Sequence, residues 1–184
     1  FYRQVPFGTA GMRGKVGLGS NRINRYTIRL AAWGMAQVLG AGKKVAIAYD
    51  TRLDSKNFAE EAAKVLAEAG LKVLIFDRYS PVPLLSYTVR ELHCDGGIVI
   101  TASHNTKAYN GFKTYEASGA QMGPNKTEEI FRWMLKKADP LDVPHCDDLA
   151  QENIEWIGEE IAEKFTSAAA DCSKLNDSSA KKDL

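Results

Sequence analysis

Cysteine is scarce in this chain. Cys94, Cys146 and Cys172 are widely spaced and have no CxxC or CxxH neighbour, which argues against a disulfide framework and gives no zinc-site spacing. An excess of one charge is also missing. Twenty-four Lys and Arg stand against 23 Asp and Glu, a net charge of +1, and no basic cluster interleaved with aromatics occurs, so no nucleic-acid partner is expected. Apolar runs are cut by charge well short of the ~18 residues a membrane helix needs. Residues 1–20 lack the basic, apolar, small-residue order of a secretion signal, so a soluble, cytoplasmic protein without a membrane partner is expected. Two catalytic signatures are absent as well. The Gly8–Gly14 stretch lacks the Lys-Ser/Thr ending of an ATP loop and precedes the first good strand. Ser103 has no G-x-S-x-G elbow around it, and adjacent residues such as His104 point apart in an extended loop, so acyl transfer is disfavoured.

What is present fits one globular domain and an appendage: 184 residues, 45% hydrophobic and 26% charged. Gly8, Gly11, Gly14, Gly17 and Gly19 make residues 8–19 a loop or irregular strand. Asn24 caps a predicted helix with Ile28, Ala31, Met35, Val38 and Leu39 on one face and Gly40 at its end. Strand 45–49, a helix capped by Ser55 and ending at Gly70, and strand 72–76 form a βαβ unit with parallel strands. A helix over 84–92 and a third parallel strand over 97–101 follow, then an antiparallel strand over 111–116 placed near an edge, and a helix over 126–137.

The fold class expected is α/β, a three-layer α/β/α domain over 1–140 with a mixed, mainly parallel sheet. Residues 141–184 are expected to be a linker, an amphipathic helix with Ile154, Ile157, Ile161 and Phe165 on one stripe, and a loose tail over 171–184, the start of a truncated second domain. The chain opens at Phe1 without Met and enters a glycine-rich motif at once, as a segment of a longer chain would.

In an open α/β sheet, ligands bind beyond the carboxyl ends of the parallel strands, and Asp50, Arg52 and Ser103 fall at such ends. Taken alone, the Ser103-His104-Asn105 loop is either a catalytic loop or turn punctuation. Arg13 is either a phosphate fork or a solvated arginine, and Lys113 either a charge clamp or a surface lysine.

Three segments in order, FGTAGMRG at 7–14, AYDTR at 48–52 and TASHNTKAYNGFK at 101–113, resemble the α-D-phosphohexomutases, the phosphoglucomutase/phosphomannomutase family, over residues 7–137. The resemblance implies a phosphoserine at Ser103 that gives phosphate to a sugar monophosphate, forming a bisphosphate that turns round and returns the other phosphate. It implies catalytic roles for Ser103, His104, Arg13 and Lys113, and phosphate or substrate binding by Thr9, Arg13, Arg52, Asn105 and Asn110. It also implies a hexose phosphate substrate, a sugar bisphosphate activator, and Mg²⁺ bound to Ser103 through its phosphate. A phosphopentomutase of the same family, another phosphotransfer or hydrolytic enzyme, and a non-catalytic sugar-phosphate binding module remain as alternatives.

This chain departs from the family twice. Thr106 stands where Pro is common, which removes a φ restraint and predicts a more mobile loop. The D-x-D-x-D-R metal loop and the later sugar-reading and phosphate-binding motifs are not in the sequence. The remaining metal ligands and the sugar reader are therefore expected in further domains of the same parent chain, and these 184 residues are expected to be inactive alone.

Overall fold

A computed structural model describes residues 4–8, 11–137 and 139–174. Among them the strands are β1 (Phe7–Gly8), β2 (Gly11–Lys15), β3 (Lys44–Tyr49), β4 (Lys72–Phe76), β5 (Gly96–Ile100), β6 (Tyr109–Glu116) and β7 (Ile154–Ile157). The helices are α1 (Arg25–Leu39), α2 (Ser55–Glu68), α3 (Val82–Glu91), α4 (Pro124–Lys136) and α5 (Glu159–Lys174), with a 3₁₀ turn at Pro140–Asp142.

Local chemistry sets the helix ends. Asn24 accepts from the backbone N–H of Tyr26 and Thr27, while Thr27 Oγ1 accepts from the Asn24 N–H, a reciprocal cap that fixes the start of α1. Loss of such a cap costs about 1 kcal/mol. Gly40 ends the helix at φ 88°, in the region that glycine enters without a Cβ penalty. Ser55, expected to cap α2, is instead its first residue, and its hydroxyl turns away to Asp50.

The strands form one mixed sheet in the order β1-β2-β6-β5-β3-β4-β7. β3 pairs in parallel with both β4 and β5, and β4 in parallel with β7, while β6 runs antiparallel to both β5 and β2. Alternation along the strands sends Val45, Ile47, Ile75, Ile98 and Phe112 to one face, into a core shared with α1, α2 and α4. Ala46, Ala48, Leu74, Val99 and Tyr115 face the other way, against α3 and α5. The result is three layers, α/β/α, with a mixed sheet, as expected.

Further sequence expectations change. β6 is not near an edge, because the glycine-rich segment supplies β2 and β1 outside it. Residues 154–157 are not helical. They pair with Val73–Phe76 as β7, and the helix begins only at Glu159, so the stripe from Ile154 to Phe165 spans two elements. Ile154 enters the core with α1 and α2, whereas Ile161 enters the one with α3, where Phe165 packs 5.5 Å from the Tyr87 ring. Residues 171–174 continue α5; the rest of the tail lies outside the described residues.

Candidate functional site: the Ser103 loop

The chain leaves β3 through α2 to β4 on one side, and returns through α3 to β5 on the other side of β3. Because α2 and α3 cover opposite faces, the carboxyl ends of β3 and β5 part there, and loops from both converge on the crevice. Asp50 and Arg52 come from the β3 end, and Ser103 from the β5 end.

Ser103 and His104 are exposed. Ser103 sits at φ 55°, a left-handed conformation uncommon for a residue with a Cβ, so the surroundings must hold it. Thr101 Oγ1 accepts the Ser103 N–H at 2.9 Å, and the Asn105 N–H reaches Ala102 O at 3.1 Å. Arg52 does more. Nη1 donates to the carbonyls of Thr106 (2.8 Å) and Tyr109 (3.1 Å), and Nη2 to those of Ser103 (2.8 Å) and Asn105 (2.6 Å). Its Nε faces Asp50 Oδ2 at 3.2 Å.

Phosphate binding was expected of Arg52; here its guanidinium is engaged by loop carbonyls and Asp50 at every N–H-bearing nitrogen. These contacts also bear on Thr106, whose carbonyl is held although no proline ring restrains its φ.

Asn110, also expected at the phosphate, turns inward as well. It is fully buried; Nδ2 donates to Ser55 Oγ at 2.9 Å, and Oδ1 accepts the Gly111 N–H at 2.8 Å. Ser55 in turn donates to Asp50 Oδ1 at 2.6 Å. Asn110 therefore ties the start of β6 to the start of α2 and presents nothing to a ligand. Asn105 is half-buried, and its Oδ1 is buried without a hydrogen-bond partner. Thr9 lies outside the described residues.

Arg13 and Lys113 meet through the sheet register. Thr101 N–H bonds to Gly111 O, and Gly111 stands opposite Arg13 on β2, so β6 alone separates Arg13 from the Ser103 loop. Lys113 lies two residues from Gly111 and therefore on the same face as Arg13. Burial, with the Arg13 charge beside it, pushes the Lys113 ammonium below its usual pKa. No ion pair among the described residues involves either cation. Close strand contact is obligatory here: at Gly11, φ 116°, an added Cβ would lie 2.0 Å from Phe112 O.

The site thus brings Ser103, His104, Arg13 and Lys113 to one end of the sheet. Sequence reasoning had missed the support beneath them: Thr101, Ser55 and the inward turn of Arg52. Asp50 at a strand end was a visible signal; the destinations of its partners were not. Among the described residues no group of three or more His, Cys, Asp or Glu is placed to hold a metal ion, and both Asp50 oxygens are engaged. Nor is any helix among them long and apolar enough to cross a membrane.

Residues 4–140 match the family model for phosphoglucomutase/phosphomannomutase, alpha/beta/alpha domain I. The chain is 41% identical over 167 residues to a phosphoglucomutase of Staphylococcus saprophyticus, a match covering 88% of this chain and 30% of that one. Its fold matches a crystal structure from Thermus thermophilus, provisionally assigned as a phosphomannomutase, with a TM-score of 0.72 and 29% identity over 85% of this chain and 33% of that one. A phosphoglucomutase/phosphomannomutase family protein of Burkholderia thailandensis, at 20% identity and a TM-score of 0.67, covers 88% of this chain and 34% of its own, and likewise shares the fold. The chain spans about a third of the length of these relatives.

Proposed function

We propose, for a chain that belongs to the phosphoglucomutase/phosphomannomutase family through its alpha/beta/alpha domain I, that it supplies the phosphate-carrying serine of a hexose-phosphate mutase. Ser103 would carry the phosphate. A sugar hydroxyl oxygen attacks phosphorus and gives its proton to a base, for which His104 is the candidate, while the bond from phosphorus to Ser103 Oγ breaks with its electron pair on Oγ, which takes up a proton to become the free hydroxyl. The resulting bisphosphate turns round and returns its other phosphate to Ser103. Glucose phosphate is the proposed substrate, after the relative at 41% identity.

The observation that carries this reading is the pair of cations, Arg13 and Lys113, on one face beside the Ser103 loop, neither in an ion pair among the described residues. Their mutual repulsion is relieved when an anion lies between them, and a phosphoryl group in transfer spreads charge over three oxygens. A divalent cation belongs to the proposal too. Mg²⁺ prefers octahedral oxygen coordination, and beyond a phosphate on Ser103 the described residues assemble no carboxylates for it, so its other ligands would lie elsewhere in a longer chain. Residues 141–184 would lead toward those further domains, and alone this segment would not interconvert sugar phosphates, since positioning both ends of a bisphosphate is worth several kcal/mol.

The test is intact-mass measurement after incubation with glucose 1,6-bisphosphate. A gain of one phosphoryl group that maps to Ser103 and disappears in Ser103→Ala is expected. No covalent phosphate in the full-length protein, or phosphate that persists in Ser103→Ala, overturns the reading.

A further inference from the structure

The Ser103 loop has no secondary structure of its own to hold a left-handed serine in place. Its shape is taken from the carbonyls, and one guanidinium meets four of them, belonging to Ser103, Asn105, Thr106 and Tyr109. Arg52 is itself fixed at both ends: its own N–H donates to Asp50 Oδ1 at 3.0 Å, while Nε faces Oδ2 of the same carboxylate. Asp50 is further held by Ser55, and Ser55 by the buried Asn110. The chain of contacts thus runs from two ordered elements, the start of α2 and the start of β6, through one carboxylate, to the backbone around Ser103.

We infer that Arg52 is a positioning residue for Ser103: gripped by Asp50, it fixes the loop backbone so that the serine is presented in its left-handed conformation. The inference rests on the mutase reading for its consequence in catalysis, but not for the clamp itself. Hydrogen bonds to charged groups are among the stronger ones, and four converging on a single rigid fork restrict the loop more than any one could. Peptide planarity gives the grip a second effect. With every described peptide trans, the carbonyl and the following N–H are antiparallel, so seizing the Ser103 and Asn105 carbonyls turns the N–H groups of His104 and Thr106 away from Arg52. A lysine at this position has three donors on a flexible stem and no planar fork, so it cannot reproduce the four contacts.

The experiment uses the full-length protein with Arg52→Lys and Arg52→Ala. Misplacing a reacting group by about 1 Å costs on the order of 100-fold, so kcat should fall by about that factor in both variants while KM for the sugar monophosphate changes by less than about threefold. Hydrogen exchange, which needs no turnover, should quicken at the amides of 103–109 and stay unchanged in β3 and α2. A KM rise of about tenfold with kcat preserved would mean that Arg52 contacts the substrate and would overturn the inference. Unchanged loop exchange would overturn it as well, and acceleration spread over β3 and α2 would reduce Arg52 to a general support of the fold. If the wild-type protein accepts no phosphate on Ser103, the mutase reading fails, and the exchange comparison still decides whether Arg52 holds the loop.

Discussion

Asn110→Asp is nearly isosteric, yet the structure predicts a large and pH-dependent loss of stability. Asn110 is fully buried and donates through Nδ2 to Ser55 Oγ, which passes its only hydroxyl proton to Asp50. The order of donors is therefore forced, with amide to hydroxyl and hydroxyl to carboxylate. Replacing the amide with a carboxyl leaves two carboxylates competing for one hydroxyl proton. The replacement also buries a charge that no cation here neutralises, since Arg52 is committed to Asp50 and to the loop. Losing a buried donor and leaving the group unsatisfied costs about 3 kcal/mol. For a chain of this size that is a fall in Tm of roughly 6–12 °C. The new carboxyl should have a folded-state pKa raised above its unfolded value by burial and by Asp50. Between those two values the folded state binds the extra proton, so stability falls as pH rises, and the deficit should be smaller near about pH 5 than near about pH 8. Urea unfolding followed by circular dichroism at both pH values measures this. A deficit below about 1 kcal/mol at the higher pH, or one that does not shrink on acidification, would refute the proposed order of hydrogen bonds.

Arg13→Gln should raise the Lys113 pKa part of the way back toward its ordinary value, since burial, the larger cause of the depression, is untouched; a heteronuclear NMR titration of the lysine side chain reads this, and an unmoved titration would mean the two cations are not neighbours. Cys172 is exposed, whereas Cys94 is buried and its thiol is pushed up to about 11, chiefly by burial. An aromatic disulfide reagent at neutral pH should therefore label Cys172 promptly and Cys94 only on unfolding, and equal rates for the two would contradict the packing around Cys94.

The parallel centre of the sheet was legible because β3, β4 and β5 are short apolar runs bounded by charge or glycine, and α1 carries both its cap and its stop in the sequence. β2 was legible only as a loop or irregular strand, since GMRGK has neither alternation nor branched residues; its pairing with β6 was not, and that put β6 near an edge. β7 was hidden differently. Ile154 and Ile157 fall three apart and continue into Ile161, so a strand and the helix after it imitate one helical stripe. The break is Gly158, where an added Cβ would lie 2.4 Å from Asp77 Oδ1, and the pairing that makes 154–157 extended comes from β4, far earlier in the chain. In the site, the residue types were visible but the direction of their donors was not. Arg52 and Asn110 are polar loop-end residues in the sequence, and nothing local says that both turn inward.

An arginine that grips a loop by its carbonyls is indifferent to the letters of that loop, because every residue carries the same oxygen. Positions 106–108 can therefore be exchanged while the nucleophile's address stays the same. Thr106 reads as one such exchange. The tolerance has a limit at Asp50 and Arg52, two residues encoded far from the loop, where a change would be felt at every position that they hold.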